Sequence, residues 1–146
     1  MNQETADALR SFKQKSRRAH GELSQDIVAA HLRVKGYRMI EPVYTPWRVI
    51  RKMGRIVGAV PVRKVSGDFR AVAPGGRSVL VEVKGRDDGK LPWSAFAPHQ
   101  RAALDEHAEA GGSSLVAFVR GSDVMIYPWP IEGFGPKKSL TWGLTP

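Results

Sequence analysis

Asp68, Glu82 and Lys84 have the types and the spacing that divalent-metal phosphodiester chemistry needs. Two hard carboxylate oxygens hold Mg²⁺, and an ammonium stabilises charge on the phosphate or on the attacking water. The three lie in the stretch S-G-D-F-R-A-V-A-P-G-G-R-S-V-L-V-E-V-K-G-R, residues 66–86. A solvated strand face opened by an Asp gives the same spacing, so the elements that position these residues bear on the choice.

The stretch reads as two short strands around a tight turn. Pro74-Gly75-Gly76 is the turn, because proline fixes φ and glycine accepts positive φ. Residues 78–84 are rich in β-branched valine and then alternate, which predicts a strand. Side chains alternate faces along a strand, so Glu82 and Lys84 point one way and Val83 the other. Asp68 opens the first strand and is expected to face the same place across the hairpin.

A chain of 146 residues with 42% hydrophobic content supports one domain with a real core. Twenty-three Lys and Arg against fourteen acidic residues give a net charge of +9. That balance favours a polyanionic partner, nucleic acid before an anionic membrane. No segment approaches the roughly 20 apolar residues of a membrane span, and no stretch reads as a secretory leader. The absence of cysteine excludes disulfides and thiolate zinc sites and fits a cytoplasmic location. The histidines at 20, 31, 99 and 107 lack zinc-ligand spacing.

Residues 1–20 read as a basic N-terminal arm, with Arg17 and Arg18 among its cations; a solvated tail and a phosphate-tracking arm both fit it. From about Gly21 to Lys35 the apolar period is helical, through Leu23, Ile27, Ala30 and Val34. Gly36 is the expected left-handed cap. Glu22, Gln25, Asp26 and Ala29 fall on the adjacent face. Glu22 there either complements the helix dipole or reaches the sheet end as a ligand.

Between Val43 and Gly67 there is no acidic residue, while Arg48, Arg51, Lys52, Arg55, Arg63 and Lys64 are present. Interleaved Trp47, Val49, Ile50, Met53, Ile56 and Val57 separate this stretch from a disordered basic tail. Residues 47–64 are expected to form a projecting, partly β element that contacts nucleic acid, the alternative being a basic hairpin that only contributes solubility. After the hairpin, 86–90 reads as a polar loop and 91–96 as a packing segment. Pro98 opens a helix that runs to about Ala110, with Ala102, Ala103, Leu104 and Ala108 inward and Gln100 in its first turn. Residues 113–119 form a continuous apolar strand, and 124–127 another. In the tail, 131–146, Phe134 and Trp142 are expected to pack without regular structure. The order predicts an α/β fold, a mixed central sheet flanked by helices, with a right-handed parallel β-α-β crossover.

In this order the residues resemble the PD-(D/E)XK nucleases: Glu22 in an opening helix, Asp68, Glu82-Val83-Lys84 on a strand, and Gln100 opening the next helix. The chain is most similar to the RecU-type Holliday junction resolvases. The matching words are Tyr44-Thr45-Pro46, Lys64-Val65-Ser66-Gly67-Asp68-Phe69, Val81-Glu82-Val83-Lys84 and Phe96-Ala97-Pro98-His99-Gln100. The resemblance covers roughly Glu22 to Trp129.

It implies a restriction-endonuclease-like core and Mg²⁺, with Mn²⁺ substituting, on Asp68, Glu82 and the Val83 carbonyl. Lys84 would assist the attacking water, Gln100 would position it or the lysine, and Glu22 would be an outer ligand. Residues 47–64 would correspond to the family's stalk, and the partners would be a four-way DNA junction and a second copy in a homodimer. The family often has a hydroxyl residue before the Asp; here Gly67 stands there, with Ser66 one step earlier. Another nuclease of the same fold, of restriction or repair type, and a non-catalytic DNA-binding module of that fold remain alternatives.

Overall fold

The computed structural model describes residues 3–143, and among them the side chains of residues 10–16 and 20–143. Helix α1 spans Gln3–Val34, and α2 spans Pro98–Glu109. Nine strands accompany them: β1 Arg38–Pro42, β2 Trp47–Lys52, β3 Arg55–Pro61, β4 Phe69–Val72, β5 Ser78–Gly85, β6 Lys90–Pro92, β7 Ser113–Arg120, β8 Asp123–Trp129 and β9 Ser139–Thr141.

The central sheet is mixed, with order β1-β4-β5-β7-β8. β5 and β7 are parallel across the α2 crossover, and the other neighbours are antiparallel. Alternation along β5 divides the core between two faces. Val79 and Val81 join Val28, Ala29 and Leu32 of α1, with Leu115 and Ala117 of β7. Leu80 joins Leu104 of α2, Phe96, Phe118 and Trp129 on the other face. The molecule is thus a mixed sheet between two helices. Among the described residues no helix is long and apolar enough to cross a membrane.

Four sequence expectations are corrected. The stretch read as an arm is helical from Gln3, because it holds no proline and is rich in Ala, Leu, Lys, Arg and Gln. Gly21 costs such a helix about 1 kcal/mol and does not break it. Arg17 and Arg18 lie outside the described side chains. Within α1 the buried stripe is Val28, Ala29 and Leu32, whereas Leu23 and Val34 are exposed. Both stripes have helical spacing; close packing decides between them, since Ser24 Oγ lies 3.1 Å from where a Cβ on Gly85 would stand. On α2, Ala102 faces solvent and Leu104 is the buried residue.

The tail is the fourth correction. Leu140 sits in β9, pairs with Leu91 of β6 and is fully buried. Phe134 meets Trp93 edge to face at 5.1 Å, and Trp142 meets Phe118 the same way at 5.1 Å. The tail therefore closes the α2-side core as a strand and two aromatic plugs.

Among the described residues β2 and β3 pair only with each other, from Trp47 opposite Pro61 to Lys52 opposite Arg55. Arg48, Arg51, Lys52 and Arg55 on the hairpin are exposed, as are Arg63 and Lys64 on its return. The hairpin leaves the sheet after β1 and returns just before β4. Its ends meet where Val62 N–H donates to the Pro46 carbonyl at 2.8 Å.

Candidate active site

Asp68 is placed by the chain immediately before β4. Its own N–H donates to the Val81 carbonyl at 2.7 Å, and its carbonyl accepts from Val43 N–H at 3.0 Å. Gly67 makes that approach possible. It holds φ at +86°, and a Cβ there would lie 2.4 Å from Leu80 Cδ1. Left-handed backbone disfavours any other residue by about 1–2 kcal/mol, and the buried Leu80 leaves no room. Gly67→Ala is expected to lower stability by about 2–4 kcal/mol, strain and overpacking together, measured by urea unfolding. An unchanged midpoint would show that the turn is not a requirement. Ser66, the hydroxyl one step earlier, turns away and donates to the His99 carbonyl at 3.1 Å, which ties the loop to α2.

β4 pairs with β5 only as far as Phe69 opposite Val81. β5 runs on past it, so Val83 lies beyond the end of β4, beside Asp68. The Val83 N–H donates to Asp68 Oδ2 at 2.7 Å. In an antiparallel ladder a residue's N–H and C=O face the same neighbour. The Val83 carbonyl therefore opens on the same side as the Asp68 carboxylate. The other oxygen, Oδ1, accepts from Gln25 Nε2 of α1 at 3.0 Å.

Glu82 is buried on the α2 side, and Lys84 and Gln100 close around it. Lys84 Nζ stands 2.9 Å from Glu82 Oε1. Gln100 Nε2 donates to the same oxygen at 2.6 Å, and Gln100 Oε1 accepts from Lys84 Nζ at 3.0 Å. Gln100 is fixed in turn, because Oε1 also accepts from the Ala97 N–H at 3.0 Å at the start of α2. Lys84 Nζ lies 5.1 Å from the centre of the Phe96 ring, a cation–π distance. Arg101 braces this connection by donating to the Phe96 carbonyl and stacking over Trp93 at 4.9 Å.

The electrostatics join the two halves. The Asp68 carboxyl is pushed up to about 6 from an ordinary 3.8. Burial is the main cause, the Glu82 charge the second; the Val83 N–H, Lys84 and Gln25 act in the opposite direction. A carboxyl held up by a like charge is relieved by a cation between the two.

Asp68, Glu82, Lys84 and Gln100 thus gather at one rim of the sheet. Glu22 is exposed, and α1 reaches Asp68 through Gln25 instead. The pattern that marks Gln25 is its place one turn ahead of Val28 and Ala29 on the buried side of α1. Phe96 and the Ala97 N–H are the other supports that spacing alone does not single out. Beside the rim, a cleft of about 750 Å³ opens between α1 and the ends of β5 and β7, with Gln25, Val83 and Gly85 in its wall.

The donor set suits a hard divalent ion: two carboxylates and one backbone oxygen. Hydrated Mg²⁺ is usually held by one or two carboxylates and keeps several waters. Among the described residues no cluster of three or more His, Asp or Glu forms.

No protein-family model matches the chain, and no curated protein aligns with it significantly. The functional reading therefore rests on the geometry and chemistry of the site.

Proposed function

We propose that the protein is a metal-dependent, structure-selective DNA endonuclease that cuts four-way junctions, on a restriction-endonuclease-like core of the RecU-type resolvase kind. The observation that carries this reading is the meeting of Asp68, Glu82 and Lys84, joined by Gln100, from segments far apart in sequence. Asp68, Glu82 and the Val83 carbonyl would hold Mg²⁺, with Mn²⁺ able to replace it. The bound ion would polarise a phosphate oxygen and acidify a water.

This chain's own residues supply the rest. Lys84 sets a cation beside the phosphate oxygens that gain charge. Gln100 bonds both Lys84 and Glu82, so that neither swings away. The exposed cations of the β2–β3 hairpin and of Arg63 and Lys64 attract the backbone of branched DNA by geometry rather than by sequence. Two symmetric nicks in a junction call for two sites, so a homodimer in a cytoplasmic setting completes the reading.

The test is a cleavage panel with Mg²⁺ on a labelled four-way junction, flap, duplex and single strand. Junction cutting at least about tenfold faster than duplex, a difference of about 1.4 kcal/mol in transition-state binding, is the expected result. Equal cutting of plain duplex would replace the resolvase by a restriction-type or repair-type nuclease. Tight binding without turnover would leave a DNA-binding module.

A further inference from the structure

We infer that Tyr44 and Trp47, at the root of the β2–β3 hairpin, form a stacking site for unpaired bases of a DNA strand; the inference rests on the nuclease reading for its context. Tyr44 is 80% exposed and Trp47 is 62% exposed. The other three tryptophans serve the core: Trp93 stacks on Trp129 at 5.7 Å, and Trp142 caps Phe118. Trp47 has no such role, and among the described residues the hairpin that carries it pairs with no other strand.

Position ties the two rings to the rim. Val43, next to Tyr44, donates its N–H to the Asp68 carbonyl at 3.0 Å. Pro42 pairs with Phe69, the residue after Asp68. Trp47 pairs with Pro61 at the foot of the hairpin, where Val62 is 61% exposed. The backbone that carries the rings is therefore rooted at Asp68.

Charge selects the occupant. Exposed Arg48 follows Trp47 in β2, exposed Arg63 and Lys64 follow Val62 at the foot of the hairpin, and no acidic residue occurs from Val43 to Gly67. An apolar partner would gain nothing from that field, whereas a nucleotide offers a ring for the aromatics and a phosphate for the cations. Duplex bases have both faces covered by their neighbours. A base beside a branch or a nick has a free face, and aromatic stacking on it is indifferent to base identity. Tyr44 and Trp47 thus add an attraction that branched DNA can use and intact duplex cannot.

The test uses the full chain without metal, with chelator present, and three probes: a short oligothymidylate, a four-way junction and a blunt duplex. Tyr44→Ala and Trp47→Ala are each expected to weaken oligothymidylate binding by roughly 5- to 100-fold, the range of one lost stack. Duplex binding should move by less than about twofold, since phosphate contacts remain. Trp47→Phe should restore most of the loss, and bound strand should shield Trp47 emission from acrylamide.

Equal losses on strand and duplex, or none on either, would overturn the inference. So would a Trp47 already shielded without DNA that becomes accessible in a Tyr44→Ala variant sedimenting as a smaller species, because the rings would then lie between copies of the chain. Binding is read without metal, so a protein that cuts nothing yet loses strand affinity in these variants keeps the stacking site and loses the nuclease reading.

Discussion

Exchange of Lys84 for methionine is expected to lower junction cleavage by about 10³-fold while junction binding without metal stays within about threefold. Methionine keeps an apolar stem against Phe96 and removes only the cation. That cation stands 2.9 Å from Glu82 and is the positive group nearest the carboxylates on the α2 side. Charge that develops on the attacked phosphate then has no fixed counter-charge from the protein.

The same exchange leaves Glu82, which is 2% exposed, with Gln100 as its one hydrogen-bond donor. Breaking a buried pair in this way costs about 3 kcal/mol of stability. A double variant, Lys84→Met with Glu82→Gln, removes the stranded charge. It should recover most of that stability in urea titrations and none of the cleavage. Cleavage that returned with stability would reduce Lys84 to a structural partner of Glu82.

Asp68→Asn is expected to abolish cleavage and, without metal at pH 7, to stabilise the fold. The free carboxyl titrates at about 6 in the folded protein against 3.8 ordinarily, burial being the first cause and Glu82 the second. Between those pH values the folded protein keeps a proton that the unfolded chain has released. Stability from this group is therefore complete below about pH 4 and is lost as pH rises through about 6. A shift of about two units corresponds to about 3 kcal/mol.

Asparagine lacks the charge and can still accept from the Val83 N–H. A gain of about 1–3 kcal/mol at pH 7 that vanishes at pH 4 is expected from urea unfolding at the two pH values. Added Mn²⁺ should stabilise the wild type more at pH 7 than at pH 5, because protons compete for the carboxylate, and should not stabilise the variant. Destabilisation of the variant at both pH values would make Asp68 a structural anchor rather than a site held at a cost to the fold.

How far the sequence speaks for itself depends on the signal each residue carries. The hairpin of β4 and β5 is legible because Pro74-Gly75-Gly76 admits one local geometry and β-branched residues follow it. The α2 crossover is legible from Pro98 and from the apolar run of β7. The phase of α1 is not, since Leu23–Ile27 and Val28–Leu32 both satisfy a helical period and only packing against Gly85 chooses. That choice also turns Gln25 toward Asp68 and Glu22 into solvent, so one ambiguous rotation hides both facts.

β9 is illegible for a related reason. Three residues paired with β6 are stabilised by the aromatic plugs around them, not by their own propensity. At the site, spacing places Glu82 and Lys84 on one face because alternation is strict. It cannot show that Gln100 would bond both, which needs a contact across the two layers.

The hairpin of β2 and β3 stands apart from the body, with its two ends clasped between Pro46 and Val62. An element joined that way can change length without disturbing the sheet that carries the carboxylates. Each added cross-strand pair extends its reach by about 3.3 Å and leaves the clasp as it was. On the proposed nuclease reading, small insertions and deletions in this hairpin would vary the grip on DNA and leave the carboxylate rim unchanged.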